Sequence, residues 1–152
     1  MKKEIYLVLD NIRSRENVGS IFRTADGAGV SKILLCGITS APPHGRISKT
    51  ALGAEMYVPW EYRRNTRQLL TELKTKGIKI IALEQTAKSK NIFTFKLPNS
   101  KALALIVGNE VNGISPKILK YCDKVLYIPM SGRKESLNVS VAAGVALYQL
   151  IK

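Results

Sequence analysis

Three segments of the chain hold polar residues that an ordinary turn would not need. They lie at residues 10–25, 108–113 and 128–138. Their candidate side chains are Asn17, Arg23, Glu110, Ser136 and Asn138. Guanidinium, carboxylate, amide and hydroxyl groups can orient a substrate hydroxyl and stabilise developing charge. The single histidine, His44, offers neither a Ser-His-acid triad nor a metal site, so hydrolytic and metal-dependent chemistry have little support.

Each segment also has a structural explanation. On a helical wheel Arg23 falls away from the apolar stripe of its helix, so it points toward solvent or a cleft. Ser136 and Asn138 are residue types that cap helices, and the last helix begins there. The glycine spacing of residues 108–113 is that of a P-loop, but Ile114 and Ser115 replace the lysine and hydroxyl that hold phosphate and magnesium. A nucleotide triphosphatase is therefore not favoured.

Five short apolar runs predict buried strands, because they are rich in β-branched residues and leucine and are bounded by turn residues. They are Ile5–Leu9, Ile33–Cys36, Ile78–Leu83, Leu103–Val107 and Val125–Ile128. Helical patterns lie between them, which predicts an α/β fold with a mostly parallel sheet flanked by helices. The second and third polar segments follow strands that we expect to end side by side. A cleft at the C-terminal edge of the sheet would result.

Four helices are predicted from capping residues and helical spacing. The first has Asn17 as its N-cap, the second runs from Asn65 to about Gly77, and the third begins at Pro116. The last, residues 138–151, has almost no polar face, so it must be covered on more than one side. A central core helix and a subunit interface are both open as explanations for it.

Composition limits the class of protein and the partner. The 152 residues suit one domain, and 24 Lys and Arg against 11 Asp and Glu give a net charge of +13. Such an excess favours a polyanion, since neutralised phosphates release counterions. Cys36 and Cys122 form no framework or zinc pattern, and neither a signal peptide nor a membrane span is evident. A cytoplasmic protein is the expectation.

Together, the three segments resemble the three motifs of the SpoU/TrmH family of RNA ribose 2′-O-methyltransferases, in the SPOUT superfamily. The motifs are N-x-G-x-x-x-R-T-A from residue 17, G-x-E-x-x-G from residue 108, and I-P-M at 128–130 leading to S-L-N-V-S at 136–140. The resemblance extends from about Ile5 to Leu150. We therefore expect residues 1–152 to form a single methyltransferase domain without an appended RNA-binding domain.

This resemblance implies a C-terminal trefoil knot that binds S-adenosylmethionine, with no metal. The implied cofactor contacts are Leu83, Gly108, Ile128 and Leu137. The implied catalytic residue is Arg23, which either orients the hydroxyl through the adjacent phosphate or loses its proton in a dry site. Asn17 would brace the first motif, and Glu110 would order the cofactor loop or the arginine. Ser136 and Asn138 would line the site and hold Arg23 or the substrate phosphate.

The resemblance also implies a homodimer acting on tRNA or rRNA. Basic residues near the predicted cleft are the expected phosphate contacts: Arg13, Arg15, Arg46, Lys49, Arg133 and Lys134. A second basic set is interpreted as a solvated face: Arg63, Arg64, Arg67, Lys74, Lys76 and Lys79. Two alternatives remain open, namely an inactive knotted RNA-binding protein and a SPOUT enzyme that methylates a base.

Overall fold

The computed structural model describes residues 2–152 as a parallel sheet flanked by helices. The seven strands are β1 (Glu4–Asp10), β2 (Lys32–Cys36), β3 (Trp60–Arg63), β4 (Lys79–Leu83), β5 (Lys90–Asn91), β6 (Ala102–Val107) and β7 (Lys124–Tyr127). Their order is β3-β2-β1-β6-β4-β7-β5, and every pair is parallel. The predicted α/β fold with a mostly parallel sheet is confirmed, and all five predicted strands are present.

Five α-helices cover the two faces of this sheet. They are α1 (Arg15–Ala28), α2 (Gly45–Ala51), α3 (Thr66–Thr75), α4 (Pro116–Leu119) and α5 (Val139–Leu150), and a short 3-10 helix spans Ala54–Met56. One core joins α1, α2 and α5 to the sheet, and the other joins α3 and α4 to the opposite face.

Alternation along the central strands divides the side chains between these two cores. In β1, Leu7 and Leu9 enter the core under α1, whereas Val8 enters the core under α3. Both sets are fully buried, as expected for a parallel strand covered on both faces. Phe22 of α1 is also fully buried, and burial of one such side chain contributes about 1.5–3 kcal/mol.

The first helix begins earlier than its sequence pattern indicates. Ser14 is the N-cap, and its side chain accepts a hydrogen bond from the Asn17 amide. The prediction of Asn17 as the N-cap was therefore wrong: Asn17 lies within the first turn, where its side chain is free to bond elsewhere. The predicted starts of α3 and α4 are confirmed, with Asn65 capping α3 and Pro116 in the first turn of α4.

The strands before the second and third motifs are not adjacent. β4 lies between β6 and β7 and pairs with both, so the expectation that those two strands end side by side was wrong. Sequence order does not reveal this insertion, because β4 precedes both of the strands that it separates. Its consequence is that residues following β4 also reach the C-terminal edge at the predicted cleft.

The last helix is covered on one side by its own chain. Ala143, Ala146 and Leu147 are fully buried, whereas Val141 is 52% and Tyr148 53% exposed. Both explanations of this helix thus retain support, since one face is core and the other leaves apolar side chains uncovered. Among the helices of residues 2–152, none is both long and apolar enough to cross a membrane.

Candidate active site

A cavity of about 830 Å³ opens at the C-terminal edge of β4, β6 and β7. Its walls come from the residues after each of these strands and from the start of α5. Eight of the nine candidate catalytic and cofactor residues line it: Asn17, Leu83, Gly108, Glu110, Ile128, Ser136, Leu137 and Asn138. The three motifs, which are far apart in sequence, therefore meet around one space.

Glu110 connects the second motif to the first. One carboxylate oxygen accepts the backbone N–H of Arg13 at 2.8 Å. The other accepts the N–H of Ser14 at 2.8 Å and the side-chain amide of Asn17 at 3.0 Å. These bonds fix the turn that leads from β1 into α1. Glu110 makes no bond to Arg23 within residues 2–152, so the prediction that it orders that arginine gains no contact from a single chain.

The pKa of Glu110 reflects this arrangement. Burial alone would raise it, but the hydrogen bonds from the amides of Arg13 and Ser14 and from the Asn17 side chain hold the pKa below its ordinary value. Bonds of this kind favour the ionised acceptor. Glu110 is therefore a carboxylate at neutral pH, suited to holding neighbouring donors rather than to transferring a proton.

Asn17 and Asn138 link the first and third motifs. The Asn138 side-chain amide donates to Asn17 Oδ1 at 3.2 Å. Asn138 Oδ1 also caps α5 by accepting from the amides of Ser140 and Val141. Asn138 thus caps α5 through its oxygen and bonds Asn17 at the cavity wall through its nitrogen. Glu110, Asn17 and Asn138 form a continuous chain of bonds along one wall.

The second motif needs glycine for packing reasons. A Cβ on Gly108 would lie 2.6 Å from Ile114 Cγ1 and 2.7 Å from the Gly113 carbonyl carbon, so a side chain would push the turn apart. Gly113 has a φ of 66°, in the left-handed region that favours glycine. The compact turn leaves backbone polar groups at the cavity wall.

Glu84 belongs to the site and was missed by sequence reasoning. Its side chain lines the cavity, and Oε2 accepts the Ile114 N–H at 2.8 Å, which ties the residue after β4 to the second motif. The available signal was its position immediately after a predicted strand, where ligand-binding residues of open α/β sheets occur. It was overlooked because no motif contains it.

The cavity has the opposite charge to the rest of the protein. Its charged lining residues are all acidic: Glu84, Glu110 and Glu135. No lysine or arginine lines it in the part of the chain that the structure describes, although the sequence has a net charge of +13. Its remaining lining is largely apolar and amide-bearing. Such a site favours a cationic or zwitterionic ligand over a polyphosphate.

The arginine of the first motif lies outside the cavity. Arg23 is exposed on α1 and is not one of the lining residues. Its neighbour Thr24 faces α5, since a Cβ on Gly144 would lie 3.3 Å from Thr24 Cγ2. The sequence motif placed Arg23 at the site, but the fold of one chain leaves it on the adjoining surface.

The six basic residues predicted to contact RNA are also outside the cavity. Arg13, Lys49, Arg133 and Lys134 are exposed. Arg46 is exposed but forms a bidentate ion pair with Glu16, at 2.8 and 3.1 Å. Arg15 is half-buried, and its Nε has no hydrogen-bond partner within residues 2–152. Within the same residues, no cluster of His, Cys, Asp or Glu could hold a metal ion.

Comparison with known proteins identifies the family. The model of the SpoU rRNA Methylase family matches residues 4–148. The chain belongs to the SpoU family. The family match thus includes all three motifs and the whole wall of the cavity. It confirms the resemblance that the motifs suggested.

Several relatives of this chain are named as RNA 2′-O-methyltransferases. The chain is 36% identical over 144 residues to the 23S rRNA (guanosine(2553)-2′-O)-methyltransferase RlmP of Bacillus subtilis, covering 95% of this chain and 56% of that protein. It is 35% identical over 150 residues to the tRNA (guanosine(18)-2′-O)-methyltransferase of Aquifex aeolicus, covering 97% and 69% respectively. The chain thus spans little more than half the length of the first of these relatives.

A solved structure shares the fold closely. The AdoMet-bound rRNA methyltransferase from Sinorhizobium meliloti superposes with a TM-score of 0.90 at 31% identity, covering 98% of this chain and 56% of that one. The shared region therefore spans nearly the whole chain.

Proposed function

We propose that this protein is an S-adenosylmethionine-dependent methyltransferase that modifies a ribose 2′-hydroxyl of tRNA or rRNA. The observation that carries the proposal is the acidic cavity in which the three motifs meet. The names of the SpoU relatives support the reaction and the RNA class, and the AdoMet-bound relative supports the cofactor.

The cavity fits the proposed cofactor in size and charge. Its volume of about 830 Å³ lies within the range of roughly 300–1,000 Å³ that is usual for small-molecule sites. Leu83, Ile128 and Leu137 would cover the adenine ring, while the backbone at Gly108 would bond its polar edge. The three glutamates of the lining suit the sulfonium and ammonium charges. When bound, S-adenosylmethionine supplies an electrophilic methyl group.

The protein's own task is then alignment and charge placement. In-line methyl transfer needs the ribose oxygen close to the donor and stabilised as it becomes alkoxide-like. In our proposal Arg23 supplies this through the adjacent phosphate, because a guanidinium stays protonated and forms bidentate bonds with phosphate oxygens. Asn17, Glu110 and Asn138 hold the wall in place, and Ser136 lines the substrate side.

We further propose that the working unit is a homodimer formed through α5. The exposed Val141 and Tyr148 support this, since apolar side chains on an otherwise buried helix favour a covering partner. α1 packs against α5, so a second copy docked there would carry its own Arg23 toward the cavity. This arrangement explains why the arginine lies outside the cavity of its own chain.

The remaining elements of the proposal concern RNA contact, domain content and location. Arg13, Arg15, Lys49, Arg133 and Lys134 would bind phosphates around the cavity, with Arg46 released from Glu16 to join them. Residues 1–152 would form one methyltransferase domain. The free cysteines Cys36 and Cys122 and an RNA substrate support a cytoplasmic location.

A trefoil knot in the C-terminal part belongs to the same proposal. β7 lies between β4 and β5, which are joined earlier in the chain by residues 84–89. The Glu84 N–H bonds Leu126 O, and the Ile92 N–H bonds Tyr127 O, so β7 enters a space that this earlier connection bounds. A crystal structure in which residues 128–152 avoid that loop would contradict the knot.

One experiment separates this function from its alternatives. The protein is incubated with methyl-labelled S-adenosylmethionine and total RNA, and the RNA is digested to nucleosides for mass spectrometry. We expect label in a 2′-O-methylnucleoside. Label on a base would indicate a base methyltransferase, and RNA binding without label would indicate an inactive binding protein. RNA from cells lacking the protein then shows which methyl group disappears.

A further inference from the structure

A second cavity, of about 730 Å³, lies at the same edge of the sheet but on the face covered by α3 and α4. Asp10 and Asn11 from the end of β1 form one side, and residues 64–67 at the start of α3 form another. Asn109 and Gly113 line both cavities. The turn of the second motif is therefore a wall shared by two binding spaces.

The topology makes this position a favourable one for a ligand. After β1 the chain turns through α1 toward β2, whereas after β6 it turns through α4 toward β7, on the other face and in the other direction. Because β1 and β6 are neighbours, a crevice opens between their two departing loops. Ligands of open α/β sheets bind in crevices of this kind.

Asp10 places in the second cavity a carboxylate that is only partly hydrogen-bonded within residues 2–152. Its side chain lines the second cavity although the residue is only 4% exposed. Within residues 2–152, the one side-chain hydrogen bond of Asp10 is from Thr66 Oγ1 to Oδ1, at 2.6 Å. Oδ2 has no donor in that range. A carboxylate oxygen without a protein donor in a cavity lining is available to a ligand, so the cavity favours a ligand that brings an N–H group to it.

The rim of the second cavity is basic and free of ion pairs. Arg64 and Arg67 line it, both are exposed, and neither pairs with an acidic side chain within residues 2–152. By contrast, Arg63, the residue before Arg64, forms ion pairs with Glu61 and Glu72. Two unpaired guanidinium groups and a carboxylate acceptor in one cavity match a ligand that carries both a phosphate and an N–H edge.

We propose that this second cavity binds a nucleotide of the RNA substrate next to the methylated one, with Arg64 and Arg67 on its phosphate and Asp10 Oδ2 on its base. The inference rests on the proposed function and deepens it, because the shared wall at Asn109 and Gly113 would place this nucleotide directly beside the cofactor cavity. These two arginines are then part of the RNA site rather than of a solvated face.

Guanine is the base that this arrangement favours. Guanine presents two neighbouring donors, N1–H and N2–H, on one edge, whereas uracil presents a single N–H between two carbonyl oxygens. Carbonyl oxygens facing a carboxylate are unfavourable, so the preference follows from Asp10. The side-chain amides of Asn109 and Asn112 can complete contacts to the base, because amides both donate and accept.

The test titrates GMP and UMP into the isotope-labelled protein and follows backbone amide shifts by NMR, with S-adenosylhomocysteine present to fill the first cavity. We expect shifts at residues 65–67 and 112–115. Arg64→Ala/Arg67→Ala should weaken GMP binding about tenfold, through loss of two charge-assisted phosphate contacts. Lys76→Ala/Lys79→Ala, which removes the same charge at the other end of α3 and the start of β4, should change it less than about twofold.

Asp10→Asn tests the base contact separately. The variant keeps an acceptor for Thr66 but turns an amide N–H₂ toward the base, so the preference for GMP over UMP should disappear while phosphate binding remains. Thermal unfolding shows whether Asp10→Asn folds. If it does not fold, the Arg64→Ala/Arg67→Ala variant still tests the site. Shifts confined to the first cavity, or equal losses in the arginine and lysine variants, would overturn the proposal.

The same samples distinguish this inference from the proposed function. S-adenosylhomocysteine titration reports on the first cavity, and nucleotide titration reports on the second. If S-adenosylhomocysteine binds and neither nucleotide shifts residues 65–67, the second cavity is not a nucleotide site and the methyltransferase assignment stands. If S-adenosylhomocysteine fails to bind, the proposed function fails, and this inference fails with it.

Discussion

Glu110 joins two of the three motifs, and replacing it by glutamine keeps its size while removing its charge. The carboxylate accepts three hydrogen bonds, from Arg13, Ser14 and Asn17. A glutamine has one oxygen for these donors, and its N–H₂ group must face at least one of them. If the glutamine oxygen accepts from Ser14 and Asn17, the glutamine N–H₂ group faces the Arg13 N–H. The Arg13 N–H must then donate to water instead.

The size of the effect follows from these bonds. A hydrogen bond to a charged group contributes about 1.5–3 kcal/mol and a neutral one about 1 kcal/mol, and the Arg13 amide is exposed enough for water to replace part of the loss. We therefore expect Glu110→Gln to lower the free energy of unfolding by about 1.5 kcal/mol. For a chain of this length that corresponds to a fall in Tm of roughly 3–6 °C.

The pH dependence of stability provides a second measurement. The pKa of Glu110 is lowered in the folded protein, so its stabilising contribution is complete above its ordinary value of 4.5 and is lost as the pH falls through the folded value. The wild-type protein should lose that contribution in acid, and Glu110→Gln should remove this part of the slope. Asp26→Asn, which removes an exposed carboxylate of α1 that forms no ion pair within residues 2–152, is the matched control for charge.

Measurements of cofactor binding distinguish a loss of order in the cavity from the loss of the Glu110 charge. If Glu110 mainly orders the cavity, the variant should weaken S-adenosylmethionine and the uncharged-sulfur product S-adenosylhomocysteine alike, by less than about tenfold. If its charge mainly attracts the sulfonium, only S-adenosylmethionine should weaken. A new ionisation in the pH profile of kcat/KM, or an unchanged Tm with unchanged binding of both molecules, would refute the bracing role.

Three other changes test the rest of the site. Gly108→Ala should lower stability by about 1–3 kcal/mol and weaken S-adenosylhomocysteine binding in calorimetry, because its Cβ would meet Ile114, whereas Gly132→Ala meets nothing within 4 Å and should do neither. Val141→Glu should convert a dimer to a monomer in light scattering; a monomeric wild-type protein would contradict the interface. Arg23→Lys should lower the single-turnover rate while leaving cofactor affinity unchanged, and a near wild-type rate would show that a planar guanidinium is not needed.

Much of the fold could be predicted from local sequence because the central strands are buried on both faces. Leu103–Val107 and Ile5–Leu9 are continuous apolar runs for that reason, and they stand out in the sequence. The edge strands β3 and β5 were missed, because Trp60–Arg63 is largely polar and Lys90–Asn91 has only two residues. Their strand conformation depends on the neighbours with which they pair.

The site could be predicted as a set of residues but not as an arrangement. Motif order identified the residues that line the cavity, whereas the insertion of β4 and the contribution of Glu84 depend on pairing between distant strands. Asn17 was assigned to the wrong position because Ser14 and Asn17 are both good capping residues, three positions apart. Only the position of Glu110 opposite Arg13 and Ser14 shows which of the two is free for other bonds.

The two cavities differ in charge, and under our proposals this difference would let one small, strongly basic chain hold two unlike ligands. A uniformly positive edge would attract RNA but would repel a cationic cofactor. At ordinary ionic strength, charges interact over about 10 Å before salt screens them. The three glutamates keep the first cavity acidic, and the arginines at the second rim keep the neighbouring surface basic. The turn of the second motif separates the acidic cavity from the basic one. Glu110 lines the first cavity, and Asn112 lines the second. Under the proposed function, that division would let a donor methyl group and a phosphate backbone approach the same edge of the sheet together.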